Sequence, residues 1–63
     1  MSNPIYIEAE RQGYTIDQVS KTMSVGELID HLDQFERESQ VYLMHDGGYT
    51  YGGITERNFK WED

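Results

Sequence analysis

The chain has 63 residues, a formal net charge of −7 and no cysteine. Its length predicts a single domain spanning residues 1–63, and the lack of cysteine excludes disulfides and thiolate metal sites. A domain this short buries only about 60% of the surface that its unfolded chain exposes, so we expect self-association to add to its stability. The negative charge argues against direct binding to nucleic acid or to anionic membranes, because both attract basic surfaces.

The N-terminal segment, residues 1–10, lacks the basic and apolar regions of a signal peptide. No apolar run approaches the length of about 18 residues that indicates a transmembrane helix. We therefore expect a protein of the cytoplasm of whatever cell makes it. The aromatic content of 13% is too high for a disordered acidic tail.

Two short strands are predicted before the helix. Residues 4–10 alternate apolar and polar side chains with period two, which is typical of a half-buried strand. Residues 11–13, RQG, carry a turn signal. Residues 14–19 are predicted as the second strand, although their apolar side chains do not all share one face.

A capped amphipathic helix is predicted from Ser24 to near Glu36. Ser24 is a favourable N-cap, and Glu27 at the third helical position completes an S-x-x-E capping box. The apolar residues recur at helical spacing and form one stripe, the helix stripe, which consists of Val25, Leu28, Ile29, Leu32 and Phe35. This stripe predicts that the helix packs on one face of a sheet.

Residues 41–54, VYLMHDGGYTYGGI, are predicted to form a β-hairpin. A two-residue type I′ turn at Asp46-Gly47 needs positive φ at both positions, and this dipeptide is a strong signal for it. Such a turn places Met44 opposite Tyr49. A turn at Gly47-Gly48 changes the pairs but leaves the same side chains on each face.

The hairpin sorts its side chains onto two faces. One face, the aromatic face, is predicted to carry Tyr42, Met44, Tyr49 and Tyr51. In one interpretation the helix packs on this face, and the tyrosines bury their rings while their hydroxyls reach the edge. In the other, which we favour, the helix packs on the opposite face through Val41, Leu43 and Ile54. The tyrosines are then free to bind a partner or a second copy, since tyrosine and methionine are common at interfaces.

The predicted fold class is α+β, with a small antiparallel sheet and one amphipathic helix packed on one face. The elements follow the order ββαββ. A fifth, short edge strand is an additional alternative within residues 54–63, where Phe59 and Trp61 alternate with polar residues.

A second candidate site, the acidic face, consists of Glu27, Asp30, Asp33 and Glu38. It has two interpretations. The carboxylates are a solvated helix surface, with Glu27 also placed favourably near the N-terminal end of the helix dipole. Alternatively, they imitate a phosphate backbone and bind a basic protein groove. Like charges three or four residues apart destabilise a helix, and only Arg37 opposes them in this segment.

Nothing in the sequence predicts an enzyme, a metal site or a cofactor. His45-Asp46 resembles a weak metal or acid–base pair, but the turn itself explains the aspartate. The glycine pairs, Gly47-Gly48 and Gly52-Gly53, match neither a P-loop nor a dinucleotide-binding motif. No set of nucleophile, base and orienting residue is apparent.

The segments TMSVGELIDHL, residues 22–32, and VYLMHDGGYTYGGI, residues 41–54, resemble a loose group of small proteins from bacteria and their phages. That group combines a T-V-x-E-L-I helix start with a D-G-G-Y-T-Y-G hairpin. The resemblance covers about two-fifths of the chain. It implies a bacterial or phage origin, and it carries no activity over to individual residues.

The expected function is therefore non-enzymatic interaction with a protein partner, which the charge suggests is basic. We expect a homodimer that forms through the aromatic face or an exposed strand edge. A concrete version is a phage-type inhibitor that occupies the basic groove of a host nucleic-acid-handling or defence protein. The alternatives are a small-molecule or nucleotide sensor that uses the tyrosines as stacking walls, and an accessory subunit of a bacterial complex.

Overall fold

Three strands and one helix make up the regular structure of residues 3–62, the part of the chain that the computed structural model describes; Met1, Ser2 and Asp63 lie outside the described residues. The elements in chain order are β1 (Ile5–Glu8), α1 (Val25–Leu32), β2 (Val41–His45) and β3 (Thr50–Gly53). Two single 3-10 turns lie at Ile16–Gln18 and Glu56–Asn58, and Asp46–Gly48 form the turn of the hairpin. The predicted α+β class is confirmed, with one helix and a small sheet in the described region.

The sheet is mixed, and β2 is its central strand. β1 runs parallel to β2, with Ile5 opposite Val41, and β3 runs antiparallel to β2, with Met44 opposite Tyr51. The prediction of a purely antiparallel sheet was therefore wrong for β1. Parallel neighbours need a crossover connection, and residues 9–40, which contain α1, provide it.

The second predicted strand does not form. Residues 16–18 make a 3-10 turn instead, and the predicted ββαββ order becomes βαββ. The amide oxygen of Gln18 accepts hydrogen bonds from the backbone N–H groups of Tyr14 at 2.6 Å and Thr15 at 3.3 Å. These local side-chain bonds satisfy the backbone in a turn, and they compete with pairing in a sheet. Residues 14–19 are therefore not part of the sheet, and β1 pairs with β2 instead.

The predicted helix start is confirmed. The Ser24 hydroxyl accepts from the Glu27 N–H at 3.2 Å, and the Glu27 carboxylate accepts from the Ser24 N–H at 2.9 Å. The helix ends at Leu32 rather than near Glu36. The Phe35 N–H bonds to the Leu32 carbonyl at 3.0 Å, a tighter spacing that closes the helix with a turn.

The hairpin has a four-residue loop, residues 46–49, in place of the two-residue type I′ turn. Asp46, Gly47 and Gly48 all have positive φ, at 52°, 65° and 101°. The Tyr49 N–H closes the loop on the His45 carbonyl at 3.0 Å. The pairing of Met44 with Tyr49 was therefore wrong, and the register is the one that a turn centred on Gly47-Gly48 predicts.

No fifth strand is present among the described residues. Glu56–Asn58 form a 3-10 turn, and the residues after it, up to Glu62, have no regular structure. The Asn58 amide oxygen accepts from the Thr55 N–H at 2.7 Å, so this segment also satisfies its backbone locally. Both aromatic side chains that favoured a strand, Phe59 and Trp61, are exposed.

Side-chain burial is concentrated in the sheet. All five residues of β2 are half-buried, as are Ile5 and Ile7 of β1. No residue among those described is fully buried. The radius of gyration is 13.2 Å, whereas a compact domain of this length has about 10.6 Å. The chain is thus more open than a compact monomer of its size.

Candidate protein-binding surfaces

One face of the sheet carries a group of contacting aromatic rings. The Tyr6 ring stacks on the Tyr42 ring at a centroid distance of 6.0 Å and meets the Tyr51 ring at 5.8 Å. Register places Met44 on the same face, between β1 and β3. We call these four residues, Tyr6, Tyr42, Met44 and Tyr51, the tyrosine cluster. Tyr6 and Tyr51 remain 52% and 57% exposed, so the cluster is a surface rather than a core.

The strands fix this cluster because residues directly opposite one another share a face. Tyr42 lies opposite Gly53, which leaves open space beside its ring. The Tyr42 hydroxyl donates to the Gln40 side chain at 2.7 Å, which orients the ring. Rings held by paired strands lose little conformational freedom on binding, and this favours an interface role.

The structure changes the membership of the predicted aromatic face. It brings together Tyr42, Met44 and Tyr51, but Tyr49 lies in the hairpin loop and is 85% exposed. Tyr6 takes its place in the cluster. Sequence reasoning placed Tyr6 on the polar side of a strand, and it missed the residue because the partner of β1 was unknown. The alternation in residues 4–10 was the available signal.

The opposite side of the sheet borders an apolar groove. Ile5 and Val41, which are paired across β1 and β2, line this groove together with Ile29, Leu32 and Phe35 of the helix stripe. Ile5 and Val41 lie on the sheet face away from the tyrosine cluster. α1 makes few contacts with any strand, so the predicted close packing of the helix on one face of the sheet is not seen. The helix stripe borders the sheet across a groove that is open to solvent.

Most of the helix stripe is exposed to solvent. Val25 is 77% exposed and Ile29 is 61% exposed, although both lie on the apolar side of α1. Leu32 is the one residue of α1 that is half-buried. Three stripe residues, Ile29, Leu32 and Phe35, share the lining of the groove with the apolar sheet residues and with polar or charged residues that include Asp33 and Arg37.

The predicted acidic face is divided. Glu27 and Asp30 border a shallow depression on the outer side of α1. Asp33 instead borders the apolar groove, and Glu38 lies outside both depressions. The four carboxylates therefore do not line one common depression.

Glu27 differs from the other predicted acidic residues because it serves the helix start. The Ser24 backbone N–H, and in second place the Ser24 hydroxyl, lower the pKa of Glu27 below its ordinary value, against a small opposing effect of desolvation. Hydrogen bonds to the charged form stabilise that form. The carboxylate is thus a helix cap first, and its charge remains fully exposed to a partner.

The histidines do not assemble a metal site. His31 contacts the Gln34 side chain and packs edge-on against Phe35, with ring centroids 6.1 Å apart. His45 lies at the end of β2, where its ring approaches Gly52. Within residues 3–62, no three side chains of the kinds that ligate metals come close enough to hold an ion.

Among the described residues, no helix has the length and apolar character needed to cross a membrane. Comparisons with protein-family models, with curated proteins and with solved structures found no match to this chain.

Proposed function

We propose that this protein acts by binding a basic protein partner, without catalysis, and that the tyrosine cluster is the binding surface. The observation that carries the proposal is the contact among three tyrosine rings on one sheet face, with a methionine placed on the same face by the strand register. Tyrosine and methionine are enriched in the centres of protein interfaces. Each provides a large contact area at a moderate entropic cost.

The basic character of the partner is inferred from charge. The carboxylate of Glu8 lies on the same sheet face, because Glu8 is opposite Met44. The chain as a whole has a net charge of −7. Arginine and lysine bind favourably over tyrosine rings and next to carboxylates. A strong negative charge also accelerates the encounter with a basic partner.

A phage-type inhibitor is the concrete form of this proposal. Such a protein would occupy the basic groove of a host nucleic-acid-handling or defence protein and exclude its nucleic acid. Glu27 and Asp30 would add to long-range attraction, because both are exposed on the outer side of α1. The direct contacts would come from the tyrosine cluster and Glu8.

The test is capture of partners from a bacterial host extract on the immobilised wild type and, in parallel, on immobilised variants. We expect a basic nucleic-acid-binding protein to be retained by the wild type and lost from the variant with Tyr6→Ser and Tyr51→Ser. Tyr14→Ser is the matched control, since Tyr14 is fully exposed at 102% and lies outside the cluster. The purified partner should also lose its nucleic-acid binding when the wild type is added.

A salt series then separates charge from ring contacts. Affinity should fall as salt rises, because screening weakens exposed charge pairs and slows steered association. The triple variant Glu27→Gln, Asp30→Asn, Asp33→Asn should slow association with little effect on dissociation. Equal binding by the wild type and the Tyr6/Tyr51 variant would overturn the proposal.

A further inference from the structure

The chain exposes far more surface than a compact monomer of its mass. Its solvent-accessible surface is 6411 Å², whereas a folded monomer of 7.4 kDa exposes about 4,200 Å². The excess is about 2,200 Å² per chain. An obligate homodimer buries roughly 1,000–2,500 Å² on each subunit. The excess area therefore falls within the range that one dimer interface covers.

Part of the exposed surface is apolar and lies around the groove. The helix stripe and the groove residues Ile5 and Val41 lie next to each other on the side of the sheet away from the tyrosine cluster. Exposed contiguous apolar patches of this kind mark interaction sites. Half-buried side chains alone do not supply the core that a domain of this length needs.

We infer that a second copy of this chain covers the apolar groove, with the helix stripe of each subunit lying in the groove of its partner. The stripe and the groove belong to the same chain and adjoin one another, so a twofold axis satisfies both at once. A closed pair of this kind hides the apolar surface of both subunits. It also leaves the tyrosine cluster exposed on the two outer faces.

This dimer does not use the aromatic face or a strand edge. The tyrosine cluster lies on the opposite side of the sheet, and its rings are already packed on one another. The inference therefore does not depend on the proposed function. Dimerisation and partner binding are assigned to opposite faces, so variants of one face test it without disturbing the other.

The first experiment measures thermal unfolding of the wild type over a range of protein concentrations. If the dimer supplies the core, Tm should rise by about 5 °C for each tenfold increase in concentration, because only the folded state is dimeric. Sedimentation should give a dimer at micromolar concentration. A Tm that is independent of concentration, together with a monomeric mass, would overturn the inference.

The second experiment compares the same substitution at two isoleucines. Ile29→Ser removes a side chain from the proposed interface, and each dimer loses two such side chains, so the dissociation constant should rise on the order of 100-fold. Ile16→Ser is the matched control, because Ile16 is 84% exposed in the 3-10 turn and lies outside the groove. It should leave the dissociation constant within about twofold of the wild type. Equal dissociation constants for the two variants would contradict the proposed interface.

A cysteine variant keeps the test valid if Ile29→Ser does not fold. The chain has no cysteine, so Ile29→Cys carries a single thiol. Its alkylation rate should fall as protein concentration rises through the dimer range, whereas the rate for Ile16→Cys should stay constant. Protection of neither thiol would show that the groove is uncovered, and equal protection of both would place the interface elsewhere.

Salt distinguishes this inference from the proposed function. Two subunits of charge −7 repel each other, so added salt should leave the dimer unchanged or tighten it. Binding of a basic partner should weaken under the same conditions. Tyr6→Ser and Tyr51→Ser should preserve the dimer while they abolish partner binding; dissociation of the dimer by these two changes would instead assign self-association to the tyrosine cluster.

Discussion

β2 and α1 are both apolar elements, but they differ in what surrounds them. Every residue of β2 is half-buried between two neighbouring strands, whereas seven of the eight residues of α1 are exposed. A strand needs neighbours to satisfy its backbone, so sheet formation brings side chains together as well. A helix satisfies its own backbone, and its apolar stripe can remain uncovered after the helix has formed.

The comparison indicates which parts of this protein are determined within one chain. The sheet has its ladder, its register and its tyrosine cluster without any partner. The helix has a complete capping box but lacks a cover for its stripe. A second subunit would therefore mainly change the free energy with which α1 is held in place next to the sheet.

The largest expected effect compares one leucine from each region. Leu43→Ala removes a side chain at the centre of β2, opposite Ile7 and Gly52. It should lower the free energy of unfolding by about 2–3 kcal/mol, the low end for a core leucine because Leu43 is half-buried. Denaturant unfolding at fixed protein concentration measures the change.

The same substitution at Leu32 sharpens the comparison. If the groove is covered in the dimer, Leu32→Ala should cost about 2 kcal/mol, nearly as much as Leu43→Ala. If α1 stays uncovered, the cost should fall to about 1 kcal/mol, because Leu32 is half-buried but borders an open groove. Equal costs for Leu32→Ala and Leu43→Ala would show that α1 is as well covered as β2 in solution.

The next effect tests how the hairpin loop supports the sheet. Gly48 has a φ of 101°, and an added Cβ would lie 3.2 Å from the Tyr51 hydroxyl. Gly48→Ala should therefore cost about 1–3 kcal/mol through backbone strain. It should also displace the Tyr51 ring, which NMR chemical shifts of that ring would report.

Gly53→Ala is the matched control for the loop. Gly53 lies in β3, and an added Cβ would meet nothing within 4 Å. The change in unfolding free energy should stay within about 0.5 kcal/mol. A cost as large as that of Gly48→Ala would mean that the loop conformation is not what holds the hairpin.

The local patterns in the sequence predicted the helix start, β1 and the faces of the hairpin. These features depend on neighbours within a few residues, such as Ser24 with Glu27 in the capping box. The predictions of the second and fifth strands were wrong for the same physical reason. Thr15 and Thr55 each precede a 3-10 turn. In both turns the side-chain oxygen of the third residue accepts a hydrogen bond from the backbone N–H of that threonine.

The tyrosine cluster was predicted only in part because it depends on long-range pairing. Tyr42, Met44 and Tyr51 share a face in any hairpin of this register, so the sequence was sufficient for them. Tyr6 joins them only because β1 is parallel to β2, whereas residues 14–19, predicted as the neighbouring strand, are not part of the sheet. The open groove follows from tertiary placement, which no local pattern encodes.

A smaller effect is expected at the helix start, which is held by bonds within one turn. Ser24→Ala removes the hydroxyl that accepts from the Glu27 N–H. It should cost about 1 kcal/mol, the usual value for a lost N-cap, and reduce the helical signal in circular dichroism. Ser20→Ala is the control, since the Ser20 hydroxyl makes only a long bond of 3.3 Å to Gln12. Equal decreases in stability and helical signal for the two variants would show that the capping box does not stabilise α1.

The smallest expected effect is the dependence of the helix start on pH. The pKa of Glu27 is lowered in the folded protein by its bonds to Ser24, first the backbone N–H and then the hydroxyl. A group with a lowered folded pKa stabilises the folded state above its unfolded pKa, about 4.3 for glutamate, and this stabilisation disappears as pH falls through the folded pKa.

Ser24→Ala keeps the backbone donor and should return the pKa of Glu27 only part of the way. Ser24→Pro removes both donors, and the φ of −74° at this position fits proline, so the pKa should return to its ordinary value. An NMR titration of the Glu27 carboxyl carbon measures the three midpoints. Midpoints in the order wild type, alanine, proline would show that the helix start is fixed within the chain; a shift that instead depended on protein concentration would mean that the second subunit reaches this end of α1 as well.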